Sequence, residues 1–237
     1  MTLPDWLVAR PPGPDDEVTA QFADLWAEHL AGGTGRAVDY RLAAPRWQFL
    51  CWLADTQDVL LHGSGSADIE EFEPRQADDV GEFGARLAVY AASDGLWPMY
   101  FAIVDRTVVG SLVNASMHVL DDDGRLTGSY YYYFSVDRDA LAVGAWRSGS
   151  VYVLPRETFE AQPEEVWDGR RLASTQWASA VAVRPLARVD VRPEDFPLLA
   201  DVNGHDPAVV TARAAADPDD FPWRDPAESG SADAGLC

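Results

Sequence analysis

The residues best placed to do chemistry lie in one stretch of the chain. His62 ends a short apolar run, Asp58-Val-Leu-Leu-His62, and is followed at once by Gly63 and Ser64. About 20 residues later come Phe83-Gly84, then Val89-Tyr90-Ala91-Ala92, then Met99-Tyr100-Phe101-Ala102. A histidine at a strand end can hydrogen-bond a sugar hydroxyl, and a glycine beside it lets a ligand touch the backbone amide and carbonyl. Two tyrosines on neighbouring elements can close on both faces of a flat heteroaromatic ring. Each of these residues also has a plain structural reading, His62 as a satisfied core histidine and Tyr90 and Tyr100 as ordinary core aromatics.

Other chemistries find less support. His29, His62, His118 and His205 stand alone, with no H-E-x-x-H motif and no cysteine pair, and Asp121 to Asp123 lack the ligand spacing of a calcium loop. No metal is therefore expected. No G-x-S-x-G elbow and no Rossmann glycine fingerprint occurs. Cys51 sits in a run that is apolar nearly all round and has no cationic sequence neighbour, which predicts a buried, inert thiol. Glu157, beside Arg156, is a further candidate acid, with a solvated ion pair as the plainer alternative.

Charge narrows the field further. The 237 residues carry 18 basic and 39 acidic side chains, a formal net charge of −21, and every basic residue is arginine. Without lysine there is no P-loop or kinase phosphate lysine and no Schiff base. Such acidity makes a poor general binder of nucleic acid. No apolar run approaches the length of a membrane span, and residues 1–14 lack the flank and apolar stretch of a signal peptide, so a cytoplasmic protein is expected.

The elements that must position the candidate residues follow from periodicity. Val18, Phe22, Leu25, Trp26, His29 and Leu30 recur at helical spacing after Asp15, and Gly32-Gly33 stops the pattern. A second, largely buried helix is predicted from Pro45 to about Asp55. After residue 57 come short strands: 58–62, 87–92, 112–120, 130–136, 151–154, 178–183 and 186–191, with a short helix over 97–103. Asp121-Asp-Asp-Gly124 reads as a hairpin turn. Helices first and strands after means α+β. Beyond Pro207 the chain thins into Ala, Asp, Pro, Gly and Ser, and an irregular end with a solvated acidic tail is expected.

Taken in order, Leu61-His62-Gly63-Ser64, Phe83-Gly84, Val89-Tyr90-Ala91-Ala92 and Tyr100 resemble the ADP-ribosyltransferase fold, on its poly(ADP-ribose)-polymerase-like and diphtheria-toxin-like side. The resemblance covers roughly residues 58 to 195. It implies a helical segment over 1–57, a core of split β-sheets over 58–195 with the N-terminal helices packed against them, and a C-terminal extension over 196–237. It implies NAD as substrate: His62 on a ribose, Gly63 on the carboxamide with Ser64 beside it, Tyr90 and Tyr100 stacked on the nicotinamide, and Ser93 near the carboxamide. The family's third signature is a glutamate before an aromatic residue at the start of a late strand. The matching stretch here is Thr175-Gln176-Trp177-Ala178-Ser179, so the catalytic set His62, Tyr90 and Gln176 ends in a neutral amide. The implied activity is a mono-ADP-ribosyltransferase, or an NAD glycohydrolase, whose acceptor is a protein or small molecule rather than nucleic acid. Gln176 also admits a non-catalytic nucleotide-binding or protein-interaction module on the same fold. The RNA 2′-phosphotransferase relative fits poorly, since it needs basic residues around an RNA phosphate.

Overall fold

A computed structural model describes residues 4–224 apart from 78, 80, 122 and 168, and only the backbone of 127–129. The chain opens with a strap that carries β1 (Val8–Ala9). Helix α1 (Asp16–Ala31) starts directly after Asp15, as the periodicity predicts: Asp15 accepts the Val18 N–H, and Asp16 and Glu17 lie in the first turn. After β2 (Arg36–Ala37) comes α2 (Arg46–Thr56), whose residues from Phe49 to Ala54 are all buried. Then follow β3 (Val59–Ser64), β4 (Arg75–Gln76), β5 (Leu87–Ala92) and α3 (Leu96–Ile103). The long hairpin β6 (Leu112–Leu120) and β7 (Leu126–Asp137) leads through α4 (Arg138–Ala142) to β8 (Gly149–Pro155). The remainder is β9 (Glu160–Ala161), β10 (Glu165–Trp167), β11 (Arg170–Ser174), β12 (Gln176–Ser179), β13 (Ala187–Val191), β14 (Asn203–His205) and α5 (Pro207–Ala216).

The architecture is α+β with two sheets. One runs β1-β7-β6-β11-β10, with β14 also against β7; the other runs β2-β13-β8-β3-β5-β12-β9, with β4 on β5. Among the described residues, only β2 with β13 and β14 with β7 pair parallel. The main core joins α1, α2 and α3 to both sheets through Phe22, Phe49, Leu61, Met99, Tyr132 and Val153. A smaller core of Leu60, Phe72, Val89, Ala91, Tyr152 and Leu154 covers the opposite face of the second sheet. No helix among the described residues is long and apolar enough to cross a membrane.

Four expectations need correction. Residues 207–216 are helical rather than irregular, because Asp206 caps the turn and Pro207 sits at the first helical position, where its missing N–H costs nothing. The strand expected over 178–183 begins at Gln176 and ends at Ser179, whose hydroxyl turns to Thr158 and the Val181 carbonyl; Val183 instead bridges to Phe72. The order is not helices alone and then strands, since β1 and β2 come from the first 57 residues and each completes a sheet. The solvated acidic tail expected from Asp217 onward is corrected in its first part, since Phe221 packs on Trp6 and Tyr133 and Asp220 pairs with Arg213; its remainder, from residue 225, lies outside the described residues.

Helix α3 lies unusually close to its neighbours. A Cβ on Gly63 would overlap the Pro98 carbonyl, one on Gly149 the Ala102 carbonyl, and one on Gly95 the backbone of Cys51. Three glycines thus let α3 lie flat on β3 and β8 and against α2.

Candidate functional site

The strands that carry the three signature residues are neighbours. His62 lies on β3, Tyr90 on β5 and Gln176 on β12, and one row of the sheet reads Leu61, Ala92, Gln176. Beyond the Leu61–Ala92 pair β3 and β5 no longer form a ladder, while β3 stays paired with β8 through Ser64. The sheet is split at His62.

The split is filled by the protein itself. His62 Nδ1 lies 2.6 Å from the Tyr90 carbonyl; a carbonyl only accepts, so Nδ1 carries the proton. The His62 ring packs on Phe72 at 4.5 Å, within the smaller core. Burial holds the His62 pKa below its usual value; the Tyr90 hydrogen bond opposes this, and the Arg75 charge adds to it.

Strand alternation then separates the candidates. Val89 and Ala91 face the smaller core with His62, so Tyr90, between them, points to the opposite face. Gln176 pairs with Ala92 and Ala178 with Tyr90, which places Gln176 on the Tyr90 face, where α3 covers Gly63. The Tyr90 hydroxyl accepts the Arg86 N–H at 2.8 Å and donates to the Phe83 carbonyl at 2.9 Å, pinning the loop that contains Phe83-Gly84. Ser64 Oγ accepts the Ser66 N–H and shapes a turn.

Tyr100 lies elsewhere. Its side chain is 0% exposed, its ring packs 4.5 Å from Phe134, and its hydroxyl donates to the Ser135 carbonyl at 2.9 Å. No face of it is open to stack on a ligand. The expectation that His62, Tyr90, Tyr100 and Gln176 line one cleft is therefore corrected: Tyr90 and Gln176 share a face, His62 is behind it, and Tyr100 is in the core. A nicotinamide does not fit the stacking position implied for it, because packing occupies that position. Glu157 helps line a surface cavity of about 300 Å³ with Glu71, Pro155, Thr158, Val183 and Arg184. Arg156 pairs with Asp58 at 3.4 Å and lies over Trp177, and Glu71 takes Arg184. Cys51 is buried as expected, and burial pushes its thiol up to about 12.

The densest polar constellation was not singled out by the sequence. The chain leaves the first sheet at Ser174, opposite Met117, and enters the second at Gln176, opposite Ala92. Thr175, between them, donates its N–H to the Ser116 carbonyl and accepts the Ser93 N–H on its own carbonyl. Under this crossing lies Asp94, 0% exposed. Its Oδ1 accepts the Tyr132 hydroxyl at 2.9 Å and the Leu96 N–H at 2.7 Å; its Oδ2 accepts the Ser116 hydroxyl at 2.9 Å and Thr175 at 3.3 Å. The one signal in the sequence is Asp94-Gly95 directly before α3, where a carboxylate caps the free N–H groups of the first turn.

Beside Asp94, Arg10 places its guanidinium carbon 3.7 Å from the centre of the Tyr130 ring, bonds Asp55 at 2.6 Å, and points Nε at the Tyr132 hydroxyl at 3.4 Å. The Tyr130 hydroxyl is within reach of Asp55 and of the Ser93 carbonyl. The His118 ring packs on Tyr130 with centroids 3.5 Å apart. Among the described residues no three His, Cys, Asp or Glu side chains are grouped to hold a metal ion. No family profile, no curated protein and no solved structure matches this chain, so its own geometry carries the functional reading.

Proposed function

We propose that the chain is a non-catalytic recognition module built on an ADP-ribosyltransferase-like split sheet. The adjacency of β3, β5 and β12, and the opening of the ladder past Leu61–Ala92, support that fold reading. One observation carries the functional part. The groups that the resemblance assigns to a nicotinamide are used in packing, Tyr100 with no exposed surface and Gly63 under the Pro98 carbonyl. Gln176 agrees with it, since an amide cannot balance a cationic transition state as a carboxylate does. The test is calorimetry with NAD together with an assay of free nicotinamide, with and without cell extract. The expected outcome is no release; release by the wild-type chain overturns the proposal.

The adjacency of the three signature strands favours a second reading, an NAD-dependent mono-ADP-ribosyltransferase or NAD glycohydrolase. It requires α3 to shift away from β3 when NAD enters. In that case Gln176→Glu raises nicotinamide release about ten- to hundredfold, because the carboxylate stabilises positive charge on the ribose. Gln176→Ala then lowers release. Silence from wild type and both variants, up to pH 9, leaves the recognition module standing.

A further inference from the structure

The surroundings of Arg10 have the composition of a binding site for a guanidinium group. Tyr130 supplies a ring face at 3.7 Å, Asp55 a carboxylate at 2.6 Å, and Tyr132 a hydroxyl that is itself anchored on buried Asp94. A guanidinium uses all three at once, through cation–π attraction, a charge-assisted hydrogen bond and a planar fork of donors. A lysine ammonium would match only part of this. Two polar atoms in the cage are buried without a hydrogen-bond partner, Arg10 Nη2 and His118 Nδ1; His118 is 8% exposed with its ring against Tyr130. Arg10 therefore fills the site without saturating it.

The element that delivers Arg10 is short. Among the described residues the strap pairs with β7 at Val8–Tyr132 and Ala9–Tyr131, and the Arg10 N–H adds one bond to the Tyr130 carbonyl. This is strand addition to a sheet edge, with the Arg10 side chain dropped into the cage and Trp6 packed on Tyr133, Trp167 and Phe221. A separate peptide recognises a sheet edge in the same way. The chain carries a net charge of −21 and no lysine, so a basic segment would be drawn to it at long range.

We infer that the Tyr130–Asp55–Tyr132 cage and the β7 edge beside it form a docking site for an extended, arginine-bearing basic segment of a partner protein, which the chain's own strap occupies in cis. This names a partner class for the recognition reading, and it stands or falls separately from any binding of NAD. A tether as short as the strap presents Arg10 at roughly millimolar effective concentration, so a competing peptide has to reach that range.

The test uses the full chain and the peptide acetyl-Val-Ala-Arg-Pro-amide, with its citrulline counterpart as a control of equal shape and no charge. In the wild type, millimolar arginine peptide should speed amide hydrogen exchange at residues 5–10 while α2 stays protected, and the citrulline peptide should not. Arg10→Ala should bind the arginine peptide at least about tenfold more tightly than wild type, and adding Asp55→Asn should remove about tenfold or more of that affinity. If Arg10→Ala does not fold, the wild-type exchange experiment decides alone. Unchanged exchange, or an equal response to both peptides, overturns the proposal. A dimer that forms on strap release overturns it too, in favour of strap exchange between two copies. Nicotinamide assays on the same samples keep this outcome apart from the fate of the split-sheet reading.

Discussion

Asp94 shows how a single residue type can hold two sheets together. It sits where the chain crosses from β11 to β12, and it gathers donors from α3, β6, β7 and Thr175. Replacing it by alanine would leave three buried hydroxyls without their acceptor. Asp94→Ala should therefore cost on the order of 3 to 5 kcal/mol in urea unfolding, more than a typical surface carboxylate. The buried histidines make a second prediction. Burial lowers the pKa of His29, His62 and His118, helped by Arg36, Arg75 and Arg10 respectively. The unfolded chain takes up protons near pH 6.5, where the folded chain resists them. The stability these residues allow is complete above about pH 6.5 and is lost as pH falls from there toward the lower native values, at up to about 1.4 kcal/mol per pH unit for each. Thermal melts between pH 8 and 5.5 should fall on acidification, and His118→Gln should flatten the slope.

At the scale of elements, α3 decides more than its eight residues suggest. Gly63 reads in the sequence as a glycine that lets a ligand approach the backbone; in the fold the approaching group is the Pro98 carbonyl. A Cβ at this position has no room beside that carbonyl. Gly63→Ala should destabilise the chain by roughly 1 to 3 kcal/mol, because a backbone atom has to move. Gly33→Ala, with open space around it, should cost less despite its positive φ of 95°, and denaturant midpoints compare the two. The strands at 87–92 and 112–120 were legible because alternation marks a half-buried strand. The β10–β11 hairpin was not: Glu165-Val-Trp167 and Arg170-Arg-Leu-Ala-Ser174 gain their extended form from each other and from β6. Local pattern carries no record of such pairing.

The whole molecule must hold 39 acids against 18 arginines in one body. Among the described residues most ion pairs are at the surface, such as Arg41 with Glu28 and Arg125 with Asp123, and pairs of that kind contribute little. Net repulsion should therefore outweigh them. Raising sodium chloride from about 10 mM to about 300 mM shortens the Debye length from roughly 30 Å to under 8 Å and should raise the melting temperature by a few degrees, about 1 kcal/mol. A fall in melting temperature would mean that the pairs dominate.

What the sequence determined by itself was local: the start of α1 at Asp15, the all-round burial of α2 and Cys51, the strand that ends at Ala92, and the mechanisms that a chain without lysine gives up. These follow from propensity, periodicity and composition, which act over a few residues. The tertiary structure alone decided which way the candidate residues face. One residue of register separates Tyr90 from Val89 and Ala91, and so puts Tyr90 and His62 on opposite faces of the same sheet. The close fit of α3 on Gly63 and Gly149 puts Tyr100 in the core. Nor could spacing bring Arg10 to Tyr130, 120 positions later, or gather Asp94, Ser116, Tyr132 and Thr175 around one carboxylate. Those meetings depend on where two sheets cross, and that is settled by the packing of the chain as a whole.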